Sequence, residues 1–149
     1  MRSLACAGAG FLLCVLWFDL MFDVQARRHP GDDVPAGARA SIAAYYARVT
    51  TAARPMNRLV AVAMVVTIGA IVAELVRDDL PAWRAGPALV LTLAAVGLAA
   101  GRTVGNAQRL GRQSDDAARQ SRLARSILRD HVVCLAAIAT VLVLQLLPV

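Results

Sequence analysis

Residues 17–23 read WFDLMFD, and the rest of the chain is arranged around this stretch. It closes an apolar run that begins near Leu4 and sets Asp19 and Asp23 four residues apart. At that spacing both carboxylates share one face of a helix. Acids at or near membrane depth are costly, so they are paired, solvated through a cavity, or functional. The stretch predicts a bilayer-spanning helix that presents an acidic pair at one end.

Composition extends that reading. The 149 residues are 58% hydrophobic but only 5% aromatic, with a mean hydropathy of +0.59, so the apolar mass is Ala, Val and Leu. A soluble domain carries less apolar residue and more charge. Four apolar runs approach the ~20 residues that a spanning helix needs. They predict transmembrane helices at about residues 4–23, 57–76, 84–102 and 131–147, an all-α, up-and-down four-helix bundle in a single membrane domain. Val24-Gln25-Ala26 loosely resembles a leader-cleavage site. Asp19, Asp23, Arg27 and Arg28 around it argue instead for a retained first helix. Cys6, Cys14 and Cys134 lie inside apolar segments with no framework spacing, which predicts buried thiols rather than disulfides.

Arginine gives the orientation. There is no lysine, and the +6 charge rests on arginine alone. Six arginines (27, 28, 39, 48, 54, 58) fall between the first and second spans, and seven (102, 109, 112, 119, 122, 125, 129) between the third and fourth. These two loops share one side, which carries 13 arginines against three (Arg2, Arg77, Arg84) on the other. The positive-inside rule makes the loops 24–56 and 103–130 cytoplasmic and both termini external, in a bacterial plasma (inner) membrane. Anionic lipid headgroups are the expected partners of the arginine-rich loops, and nucleic acid is not. A membrane-protein partner or a second copy of the chain remains open.

Each loop also predicts a short amphipathic cytoplasmic helix. Ile42, Tyr45, Tyr46 and Val49 recur at i, i+3, i+4 and i+7, a single stripe that lies on the membrane or against the bundle. The two tyrosines are expected as membrane-surface anchors. Ala117–Arg129 carries arginine every three or four residues and runs into the fourth span. Arg27-Arg28-His29-Pro30-Gly31 reads as a breaker with a solvated histidine. Gly8 and Gly10, and Gly97 with Gly101, read as small-residue helix contacts. Glu74 is placed to pair with Arg77.

The topology brings four helix ends to one mouth. They carry Asp19 and Asp23; Arg54, Asn57 and Arg58; Arg102, Asn106 and Arg109; and Arg129, Asp130 and His131. Three readings stand. Arginine forks could neutralise the aspartates in a structural network. Surplus arginine could cradle an anionic or polar ligand. Asp19, Asp23 and His131 could form a catalytic or metal site. No metal motif is present, and the sequence names no cofactor. No phosphate loop, nucleophile elbow or kinase set appears either. His131 is the ready proton carrier, with an ordinary pKa near 6.5.

From the second span to the C-terminus the layout resembles the small four-helix membrane family that includes the fungal anthrone oxygenases. The residues that carry the resemblance are Arg54-Pro55-Met56-Asn57, Asn106 with Arg109-Leu110, and His131 opening the last helix. The resemblance implies oxidation of aromatic polyketides without an evident cofactor, with Asn106 and His131 as the positions to suspect. The aspartate pair is not a feature of that family.

Together these readings predict a polar pocket on the cytoplasmic side and leave open whether the chain is an enzyme. Oxidation or proton-transfer chemistry on a small hydrophobic substrate would use His131 as general base, Asp19 to set its charge, and Asn106 and Arg102 to orient or polarise the substrate. Asp23, Arg54, Asn57, Arg58 and Arg109 would bind it. The alternative is a non-catalytic accessory subunit or lipid-binding module.

Overall fold

The computed structural model describes residues 1–27, 33–52 and 54–148, and of Arg54 the backbone alone. Arg28, His29, Pro30, Gly31 and Asp32, and with them the expected solvated histidine, lie outside the described residues. The elements are helices α1 (Arg2–Asp23), α2 (Ala36–Ala47), α3 (Arg54–Val76), α4 (Ala82–Leu98), α5 (Val104–Arg112) and α6 (Ala117–Leu146). A 3₁₀ turn, Val24–Ala26, extends α1, and π-helical turns follow α2 (Arg48–Ala52) and join α4 to α5 (Ala99–Thr103). No strand forms among the described residues.

Four stretches are long and apolar enough to cross a membrane: Arg2–Ala26, Pro55–Val76, Ala82–Arg112 and Ala117–Leu146. α1, α3, α4 and α6 form a four-membered ring in which α1 packs on α3 and α6, and α4 packs on the same two. This is the expected up-and-down order. The third and fourth spans are longer than predicted. The third runs unbroken through its π turn to Arg112, and the amphipathic stretch 117–129 is the first half of one 30-residue helix. Hydropathy marks where a helix leaves the apolar zone, not where its hydrogen bonding stops. Asp116 starts α6 by accepting the Arg119 N–H at 2.7 Å, a side-chain N-cap.

Two cores stack along the bundle. The first fills the space between the spans with small side chains, Ala5, Ala9, Ala70, Ala88 and Ala95, alongside Leu12, Ile71, Cys134, Ile138 and Val141. Helices in lipid gain little from hydrophobic burial against one another, so small residues that permit close backbone approach do the packing. Large apolar side chains such as Trp17, Phe18, Val62 and Val65 point outward. Gly8 is one close approach: a Cβ there would lie 2.1 Å from Thr67 Oγ1 on α3. At Gly10, Gly97 and Gly101 an added Cβ would meet nothing within 4 Å, so the expected helix contacts at these glycines are not made.

The second core lies at the loop end. Ile42, Ala43 and Tyr46 of α2 pack with Ala107 and Leu110 of α5 and Ala124 and Ile127 of α6, over Ala26 and Val34. The stripe read in the sequence therefore faces the bundle, and α2 caps its mouth. Gly111 sets how closely. A Cβ there would sit 2.7 Å from Ala47 N and 3.0 Å from Ala47 Cα, so α5 and α2 touch backbone to backbone.

At the opposite end the fully buried Glu74 accepts from Gln145 Nε2 at 2.8 Å rather than pairing with the exposed Arg77. The buried Arg84 donates to the carbonyls of Leu144 and Leu147 at 2.5–2.9 Å, and Arg2 donates to those of Gln145 and Leu147. Two guanidinium groups thus occupy the C-terminus of α6, where carbonyls lack helical partners and the dipole favours cations.

Candidate functional site

The site lies where the two cores meet. Helical spacing puts Asp19 and Asp23 on one face of α1, with the side chain of Asp19 17% exposed and Asp23 fully buried. Two adjacent residues of α2 reach them. Tyr45 donates its hydroxyl hydrogen to Asp19 Oδ1 at 2.6 Å, and Tyr46 donates to Asp23 Oδ1 at 2.7 Å. Tyr45 also stacks on Phe22 of α1, with ring centroids 4.1 Å apart and planes 9° apart. This fixes the register between α1 and α2. Burial, reinforced by the two carboxylates, pushes both phenols well above their ordinary pKa, so they stay protonated and can only donate to the aspartates.

His131 enters from α6 and completes the cluster. Its Nδ1 lies 2.7 Å from Asp23 Oδ2, with the Tyr46 hydroxyl 3.5 Å from the same nitrogen. A carboxylate only accepts, so this short contact assigns the hydrogen to Nδ1. Nε2 is then the nitrogen left for chemistry, and it lies 3.9 Å from Asp19 Oδ2. Asp23 accepts two hydrogen bonds with no exposed surface and positions the imidazole. Asp19 shares the cavity with it.

That cavity has a volume of about 480 Å³. Leu12, Leu16, Val60, Met64, Ala95 and Ile138 give it apolar walls, and Asp19, Tyr45, Tyr46, Asn57, Thr103 and His131 are polar groups on its lining. Such a volume suits a small organic molecule. Both π turns border it, through Val49 and Thr50 on one side and Ala99 and Thr103 on the other.

The arginines expected to meet the aspartates are engaged elsewhere. Arg102 forks onto Asp130, which also accepts from Thr103, so this pair buttresses the residue next to His131 from outside the cavity. Arg109 makes a bidentate pair with Asp115 at 2.7 and 2.8 Å and holds the exposed turn between α5 and α6, which keeps the Asp115 carboxyl below its ordinary pKa. Arg58 is exposed, and the Arg54 side chain lies outside the described residues. Asn106 faces Ser126, with Nδ2 3.4 Å from its hydroxyl oxygen, and does not line the cavity. Asn57 does line it while donating to the Val49 carbonyl at 2.6 Å. Of the residues read from the sequence, Asp19, Asp23 and His131 come together and Asn57 lies at the cavity wall.

Tyr45 and Tyr46 are the residues that the sequence reading assigned to the wrong role. Their stripe with Ile42 and Val49 marked a buried face, and the aspartate pair marked an acceptor surface, but nothing in the sequence matched one to the other. Among the described residues, no three His, Cys, Asp or Glu side chains are arranged to hold a metal ion. No family model, curated protein or solved structure matches the chain.

Proposed function

We propose that this chain is an integral protein of a bacterial plasma membrane and that its cavity admits a small hydrophobic molecule from the bilayer for proton-transfer chemistry at His131. The carrying observation is the 2.7 Å bond from Asp23, buried behind the wall, to His131 on the lining of a mostly apolar cavity. A buried carboxylate on one imidazole nitrogen fixes the tautomer, leaves the other nitrogen basic and stabilises the imidazolium that forms. Nε2 takes a proton from one position of the substrate and returns it at another, so the step closes without a co-reactant. Apolar side chains make up most of the walls around the exchange. An accessory subunit or lipid-binding module has no need of an oriented base in a cavity of this size.

The excess of arginine on the loop face supports an arrangement with the site at the cytoplasmic leaflet and both termini outside. The deciding experiment is untargeted metabolite profiling of a deletion strain complemented with wild type or His131→Ala. A metabolite that accumulates with His131→Ala and not with wild type is the expected result. Identical profiles at equal protein levels would dismiss the catalytic reading.

A further inference from the structure

Resting on that reading of the cavity, we propose that its substrate is a lipophilic amine, with Asp19 as the counter-ion of the protonated nitrogen. The chain carries a net charge of +6, yet the acidic and basic side chains at this cavity are Asp19 and His131 on its lining and Asp23 behind the imidazole, with the Cys134 thiol as a further neutral group from α6. Asp19 and Asp23 come from α1 and His131 from α6. α2 contributes two neutral phenols, and α3 and the α4–α5 span contribute no charged side chain among the described lining residues. Asp130, next in sequence to His131, is neutralised by Arg102. Two carboxylates face one imidazole with no arginine among them, so the cluster is short of positive charge whichever form the ring takes.

The geometry indicates the form of that charge. Nε2 of His131 and Oδ2 of Asp19 are 3.9 Å apart, too far to bond well to each other, and both are acceptors when the imidazole is neutral. One nitrogen placed about 2.8 Å from each would see them at an angle of roughly 90°, within reach of two N–H bonds of one ammonium group. A hydroxyl has one hydrogen and can serve one acceptor only. A carboxylate has none and would face Asp19 at like charge. Tyr45 fills the other oxygen of Asp19 and fixes the direction of the remaining lone pairs. The apolar walls formed by Leu12, Leu16, Val60 and Met64 take the hydrocarbon body.

The test uses the full chain in lipid nanodiscs and three probes with one carbon skeleton, 4-phenylbutylamine, 4-phenylbutanol and 4-phenylbutyrate, titrated calorimetrically at neutral pH. The amine should bind about tenfold more tightly than the alcohol, because charge-assisted hydrogen bonds are roughly twice as strong as neutral ones. The butyrate should bind weakest. Asp19→Asn should erase the advantage of the amine while the alcohol still binds, and Tyr45→Phe, which keeps the carboxylate, should retain the preference. Butyrate binding as well as the amine, or a preference that survives Asp19→Asn, would overturn the proposal. If Asp19→Asn does not fold, the order of the three probes on the wild type still decides. Absence of binding by all three refutes this substrate class while the His131→Ala metabolite comparison still decides the catalytic reading. Identical metabolite profiles alongside amine-selective binding would do the reverse.

Discussion

Gly111→Ala tests the reasoning that ties the fold to the site. The added methyl would lie 2.7 Å from the backbone nitrogen of Ala47, where carbon and its neighbours settle at about 3.5 Å or more. Backbone cannot rotate away as a side chain can, so α2 must retreat from α5 by about 0.8 Å, the difference between those contacts. Tyr46 is adjacent to Ala47 on that helix, and its 2.7 Å bond to Asp23 would lengthen by up to about 0.8 Å, toward the outer limit of a hydrogen bond. Overpacking costs about 1–3 kcal/mol, and a weakened bond to a charged acceptor adds to it, so a net loss of about 3 kcal/mol is expected. Gly105→Ala is the matched control on the same helix, where the new Cβ meets nothing within 4 Å and relief of the glycine cost gives up to about 1 kcal/mol. The assay is unfolding of both variants in nanodiscs, followed by far-ultraviolet circular dichroism, with hydrogen exchange read over 36–47. Gly111→Ala should unfold well before Gly105→Ala and exchange faster in α2. Equal stability of the two, with α2 equally protected, would refute the claim that this contact sets the reach of the tyrosines.

Other expectations follow from the same cluster. Asp23→Ala orphans the Tyr46 hydroxyl and His131 Nδ1 together and should cost about 3 kcal/mol of unfolding free energy, whereas Tyr46→Phe removes one bond to the buried carboxylate and should cost about 2 kcal/mol. The chain has two tyrosines and both are held above their ordinary pKa. Their contribution to stability is complete below the unfolded value of about 10 and is lost only as pH rises through the folded values. Ultraviolet titration should therefore show no tyrosinate absorbance near pH 11 until the protein unfolds, and a signal at pH 11 in the folded state close to that of free tyrosine would contradict the two O–H to carboxylate bonds. A thiol introduced by Gln113→Cys should be labelled in permeabilised cells and not in intact ones, with Asp79→Cys labelled in both. The opposite pattern would reverse the orientation drawn from arginine.

The legible part of the molecule was whatever depends on local pattern. Four spans, the acidic pair on one helical face and the buried stripe of α2 all follow from spacing along the chain. The arginines show where such reading fails. Charge counting placed Arg102 and Arg109 near the aspartates, but each met a closer acid first, Asp130 and Asp115, on elements that the turn before α6 brings alongside. The imidazole partner was also misjudged. Asp19 and Asp23 are indistinguishable by spacing, and only packing makes Asp23 the fully buried one that holds His131. Gly8 and Gly111 show the same limit. A glycine marks where a close approach is allowed, and the sequence does not say which allowed approaches are used.

The π turn at Ala99–Thr103 has a consequence for how this chain tolerates change in length. Ala95 and Ala107 both line the cavity, yet twelve residues of plain α-helix would leave them about 120° apart around the axis. One residue looped into the wider turn makes the effective separation eleven, and the two alanines come within about 20° of the same direction. Losing a single residue from this turn would thus restore an ordinary helix without re-phasing either half, whereas the same deletion a turn earlier or later would swing every lining side chain beyond it out of alignment.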